Sequence, residues 1–168
     1  MIGIRAANVS DYRQVRRILQ LAFGGDAEAR LVEGLRADNV VLCELVAARR
    51  AVILGQIMFS VLDVTVDDRK VVAAALAPLA VVSSEQHKGI GSLLVDDGLR
   101  AMRQGGIEAV IVVGNPSFYS RFGFSRKKTL YLESTYQGDA FMALELVVGV
   151  LDGTTGSAEY PTAFALVD

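Results

Sequence analysis

The chain reads as an α+β protein with α/β/α layers: a mixed, mostly antiparallel sheet of about seven strands with one parallel pair. Three observations predict this. Apolar runs with strand periodicity dominate residues 41–82 and return after residue 109. Two amphipathic helical stretches precede the strand run. A third helical stretch separates two fully apolar strands, and an ordinary crossover would make those two parallel.

Ile2 to Ala6 reads as a short first strand. Asn8 or Ser10 caps a helix running to about Phe23, with Val15, Ile18, Leu19 and Ala22 on one face, and Gly24-Gly25 ends it. Asp26 caps a second helix, Ala27 to Arg36, with Leu31, Val32 and Leu35 inward. Val41 to Ala48 and Val52 to Val66 are strands, the second with Ile57, Phe59, Val61 and Thr65 on one face. Asp67-Asp68 is a hairpin turn, and Lys70 to Val82 a long central strand. Pro78 removes a ladder donor from that strand, which should bulge or splay there. The next helix, Ser92 to Gln104, has a buried stripe of Ile90, Leu93, Leu94, Ala101 and Met102. Gly98 inside it costs about 1 kcal/mol relative to Ala, a sign of close packing on the sheet. Ala109 to Val113 is a buried strand parallel to the previous one. Asn115-Pro116 caps a short helix, Ser117 to Arg121. Phe124 to Leu132 and Phe141 to Val148 close the sheet as antiparallel strands. The tail, Gly153 to Asp168, has a weak pattern in which Tyr160-Pro161 and Phe164 suggest packing.

A chain of 168 residues suits a single domain, residues 1–168. Its 52% hydrophobic content exceeds the usual share slightly, and the surplus is a possible homodimer face. A net charge of −2 argues against nucleic acid as a partner. The longest apolar run, Val71 to Val82, contains Pro78 and is too short to span a bilayer, and the N-terminus has no signal pattern. Cys43 has no second cysteine and His87 no second histidine, so neither a disulfide framework nor a metal site is expected. The default compartment is cytoplasmic.

The most informative stretch is Gln86-His87-Lys88-Gly89-Ile90-Gly91, a glycine turn between the apolar run Leu76 to Val82 and the third helix. Such a turn points free backbone N–H groups at one spot, which also feels the positive end of the helix dipole. It suits a phosphate or pyrophosphate, with the Lys88 charge beside it; an ordinary strand-to-helix turn is the plainer reading. Two other phosphate motifs fail. Lys88 precedes the glycines, unlike a Walker loop, and Leu94 stands where a dinucleotide fingerprint needs its third glycine.

The order of elements, with Pro78-Leu79-Ala80-Val81, then Gln86 to Gly91, then Gly114-Asn115-Pro116-Ser117-Phe118-Tyr119-Ser120-Arg121-Phe122-Gly123-Phe124, resembles the GNAT superfamily of N-acetyltransferases, in its YhbS-like branch. The resemblance covers most of residues 1–148. It implies acetyl-CoA as co-substrate, without a metal, and acyl transfer to a primary amine by direct attack. The pantetheine arm would lie along Leu79, Ala80, Val81 and Val82, and the pyrophosphate on the amides of His87, Lys88, Gly89, Ile90, Gly91 and Ser92. Backbone N–H groups near Val81 would polarise the thioester carbonyl.

By position alone Tyr119 reads as a core aromatic beside Phe118 and Phe122; the resemblance places it at the family's tyrosine position, where it would protonate the leaving thiolate. Asn115 caps a helix and, at a sheet's C-terminal edge, also stands where it can touch CoA. No general base is selected. The central strand Val71 to Val82 has no carboxylate, and Glu28, Glu33, Glu44, Asp63 or a water relay are the candidates. That lack supports a second class of function, a CoA-binding sensor that kept the cradle without turnover. The acceptor, a small-molecule or protein amine, has no recognisable code.

Overall fold

The structure, a computed structural model, describes residues 1–167; Asp168, the end of the tail expected to pack, lies outside the described residues. The expected class holds, with eight strands rather than about seven. They are β1 (Gly3–Ala6), β2 (Val41–Arg49), β3 (Val52–Val66), β4 (Arg69–Val81), β5 (Ala109–Val113), β6 (Leu132–Glu133), β7 (Phe141–Glu145) and β8 (Gly156–Glu159). The helices are α1 (Tyr12–Phe23), α2 (Ala27–Ala37), α3 (Ile90–Gln104) and the short α4 (Pro116–Tyr119). Strand order is β1-β2-β3-β4-β5-β7, with β8 on β3 and β6. The chain divides into two compact units, one of residues 1–60, 78–101 and the segment from Thr162, the other of residues 61–77 and 102–161.

In the first unit β1, β2 and β3 pair antiparallel, with irregularities between Val41 and Cys43 and between Ala47 and Ala48 of β2. A capping box at Asn8 opens the turn into α1, and Asp11 takes Arg5 bidentately at 2.7 and 2.9 Å. Val15, Ile18 and Leu19 are buried, but Ala22 is exposed, as are Leu21 and Phe23, so the last turn of α1 projects past its packing partners. Asp26 makes no side-chain cap; it is already helical, and its carboxylate accepts from Gln20 Nε2 at 2.7 Å. Leu31, Val32 and Leu35 of α2 are buried as expected.

The alternation along β3 separates the helices. A Cβ on Gly55 would meet Ile90 and Leu94 of α3, and one on Gly98 would lie 2.2 Å from the Phe59 ring, so α3 packs against the Gly55–Phe59 face. Gln56, on the opposite face, bonds Glu44, which holds Arg36 of α2. At about 100° per residue the buried arc runs from Ile90 through Leu94 and Gly98 to Leu99, and Leu93 falls outside it on the far side of Ile90, 48% exposed rather than buried. Val61 is likewise exposed, unlike Ile57 and Phe59.

In the second unit β4 and β5 are parallel from Ala73↔Ala109 to Leu76↔Val112, and the pairing stops there, two residues before Pro78. β4 itself continues to Val81, so the expected disturbance takes the form of lost pairing. β5 pairs antiparallel with β7.

The expected strand from Phe124 to Leu132 is absent. Ser125 makes a single bridge to Ala143, and residues 126–129 form a 3₁₀ turn fixed by Thr129, whose hydroxyl donates to Phe141 O at 2.6 Å. Arg126-Lys127-Lys128 gives this stretch no alternation, and Lys128 is drawn to Glu145 at 2.9 Å. The sheet is completed by β8 instead, which pairs antiparallel with β3 and parallel with the two-residue β6, a second parallel contact that was not expected. The Asp67-Asp68 turn has φ of 47° and 64° at its two residues, and Asp67 Oδ1 accepts from the amides of Thr154 and Thr155 at 3.0 Å each, which brings the tail alongside.

Candidate active site

Within the first unit, the end of β4 and the start of α3 are joined directly. Gln86 Nε2 donates to Val81 O at 3.0 Å, and Val82 N donates to Leu54 O at 2.8 Å. His87 and Gly89 both take positive φ, 63° and 88°, which turns the chain sharply into the helix. The first helical amide with a partner is that of Leu93, which donates to Gly89 O at 3.0 Å. Among the described residues no protein group accepts from the amides of His87, Lys88, Gly89, Ile90, Gly91 or Ser92. Nothing stands within 4 Å of the place a Gly89 Cβ would occupy. Unfilled donors at the dipole's positive end, with open space before them, fit a diphosphate.

The charges beside this turn are shared. Lys88 Nζ lies 3.4 Å from Glu85, and Arg49, from the end of β2, reaches the other Glu85 oxygen at 2.9 Å. Arg49 holds the Glu85 carboxyl below its usual range, with Lys88 adding to the effect. Lys88 therefore does not stand alone, and Arg49 was not anticipated. It is far from Glu85 along the chain, and no local pattern relates them.

In the second unit Asn115 Oδ1 accepts from Ser117 N at 2.9 Å and from Ser117 Oγ at 2.8 Å, the cap that its sequence predicts, and Pro116 follows at the first helical position. This places Tyr119 at the end of α4, where its ring packs edge-on against Phe118 and Phe124 with centroids 4.9 and 5.6 Å away. A Cβ on Gly114 would lie 2.5 Å from that ring, so only glycine leaves room for it. Burial pushes the Tyr119 phenol up to about 12. Its hydroxyl has no hydrogen-bond partner among the described residues. A phenol that stays protonated, held rigidly and free to donate, can act as an acid.

The four candidate bases differ in setting. Glu33 is paired with Arg16 and Asp63 with Lys70, all on the surface. Glu28 is half-buried. Glu44 alone is held in a buried pair, its side chain 7% exposed against Arg36.

Residues 3–126 match the family described as Acetyltransferase (GNAT) domain. The chain belongs to the GNAT acetyltransferases. It is 35% identical over 164 residues to the uncharacterized N-acetyltransferase YhbS of Escherichia coli K12, covering 96% of this chain and 97% of that protein. It is 32% identical over 117 residues to YjhQ, another uncharacterized N-acetyltransferase of that organism, covering 68% and 65%. The crystal structure of E. coli YhbS in complex with CoA matches at a TM-score of 0.89 and 33% identity, over 98% of this chain and 92% of that one. A GNAT acetyltransferase from Brucella melitensis in complex with acetyl-CoA matches at 0.80 and 27% identity, over 98% of each. This GNAT chain is an acyl-CoA-dependent N-acetyltransferase.

Proposed function

We propose that this acetyltransferase moves an acetyl or short acyl group from acetyl-CoA to a primary amine by direct attack. The observation that carries the reading is the row of unfilled amides from His87 to Ser92 at the start of α3. Acetyl-CoA supplies the acyl group already activated as a thioester. The amides receive its diphosphate, with Lys88 and Arg49 turning from Glu85 toward the added charge. Leu79 to Val82 lie along the pantetheine arm, and an N–H near Val81 polarises the carbonyl. The amine nitrogen bonds to the carbonyl carbon and the carbon–sulfur bond breaks. Tyr119 gives its proton to the departing sulfur, and the proton of the attacking amine passes to water or a carboxylate. Asn115 serves first as the cap that sets Tyr119.

A screen of acetyl-CoA against many amines, read by free thiol release, tests this; release with an amine supports transfer. The absence of any carboxylate from Val71 to Val82 favours a second reading, a CoA sensor without turnover. Calorimetric CoA binding with no thiol release across the panel would select that reading. We also propose a cytoplasmic protein, consistent with the lack, among the described residues, of any helix long and apolar enough to cross a membrane. Exposed Val147 and Val148 are candidates for a homodimer face, which sedimentation would test.

A further inference from the structure

We propose that the cleft above the Arg36–Glu44 pair is the acceptor pocket, and that it selects diamino carboxylic acids of the lysine type. This rests on the acyltransferase reading above. The cleft holds about 440 Å³ and is lined by Ala6, Ala7, Tyr12, Arg36, Cys43 and Glu44, with other residues of the α2–β2 connection. That volume suits a small metabolite.

Its chemistry is set by one ion pair. Arg36 Nε and Nη2 donate to Glu44 Oε1 and Oε2 at 3.0 and 2.6 Å, and the guanidinium carbon sits 3.5 Å from the centre of the Tyr12 ring. The two side chains are 15% and 7% exposed, so the pair is largely withdrawn from water yet borders the cleft. Both members keep unused capacity. Arg36 Nη1 has no partner among the described residues, and Glu44 Oε1 accepts only from Arg36 Nε. A fixed, partly desolvated pair of opposite charges matches a zwitterion laid head-to-tail against it, carboxylate on Arg36 and ammonium on Glu44. A ligand with one charge alone would engage one member and leave the spare capacity of the other unfilled.

The same pairing decides which nitrogen reacts. An ammonium held by Glu44 stays protonated and cannot attack, so the acceptor needs a second amine at its other end. Gln56 marks the direction. Its Nε2 donates to Glu44 Oε2 at 3.2 Å, while its Oε1 is buried without a partner. Glu44 pairs with Met58 of β3, and Gly55, three residues earlier and on the other face of that strand, faces Ala80 O of β4, the strand assigned to the acyl arm. β3 alone separates Glu44 from that strand, about 10 Å at ordinary strand spacing. An extended aminoalkyl chain covers most of such a distance.

The test compares lysine with cadaverine, which lacks the carboxylate, and 6-aminohexanoate, which lacks the second amine. Lysine should show kcat/KM at least about tenfold above both. The double variant Arg36→Met/Glu44→Gln, which leaves no unpaired buried charge, should bring lysine down to the cadaverine level, with circular dichroism checking that it folds. Equal rates on lysine and cadaverine, or an unchanged ratio in the folded double variant, would overturn the proposal. If CoA binds and no amine is acetylated, the transferase reading fails separately. Calorimetry with lysine then judges the pocket: binding lost in the double variant supports it, and no binding to the native protein overturns it.

Discussion

The turn at His87–Ser92 and the ring of Tyr119 make opposite demands on the sequence. The turn offers main-chain amides, so what it asks of the sequence is a backbone that can take positive φ, 63° at His87 and 88° at Gly89. Tyr119 offers a single hydroxyl, and a whole neighbourhood exists to hold it: the Asn115 cap, the missing Cβ of Gly114, and the edges of Phe118 and Phe124. A backbone site loses function through a change of conformation, whereas a side-chain site can lose it through the removal of one atom.

The largest effect expected follows from removing that atom. Tyr119→Phe keeps the ring and should lower kcat by about 10²- to 10⁴-fold with CoA affinity unchanged. Steady-state kinetics beside calorimetry would show both, and an unaltered kcat would refute the acid role. The same variant has a signature in stability. The folded phenol titrates at about 12 against an ordinary value of 10, so its contribution is complete below pH 10 and declines as pH rises toward 12. Denaturation curves across that window should fall more steeply for the native protein than for Tyr119→Phe, by up to about 1.4 kcal/mol per pH unit.

On the backbone side, Gly89→Ala forces a β-carbon into a left-handed conformation at a cost of about 1–2 kcal/mol, and CoA affinity should drop roughly tenfold while Lys88→Ala loses less. Equal losses would mean that charge rather than main-chain geometry dominates. The smallest effect concerns Glu85, which holds both cations in the absence of ligand. Glu85→Gln should tighten CoA binding by about two- to fivefold at low salt and less at high salt, as calorimetry at two ionic strengths would show.

Much of this was legible along the chain because it is local. The Asn115-Pro116 cap, the strands from 41 to 66, the Asp67-Asp68 turn and the glycine-rich opening of α3 each depend on residues within a few positions of one another. The family motif added the register that singles out Tyr119. Other features were hidden because their partners are distant. β8 pairs with a strand some ninety positions earlier, brought there by Asp67 holding Thr154 and Thr155. The run Phe124 to Leu132 has apolar ends but is recruited by Thr129 and Lys128 into a turn. Ala22 and Leu93 look like core on a helical projection, yet the surface each helix meets decides which arc is covered.

The order of residues thus determined the elements up to Tyr119, the glycine turn that opens α3 and the family, since periodicity, caps and positive-φ positions act over a few bonds. Tertiary structure alone decided which charges meet, Arg49 with Glu85 and Arg36 with Glu44, and brought the Gln56 amide to Glu44. Electrostatic pairing depends on distance through space and on exclusion of water, and neither is set until the helices and strands have packed together.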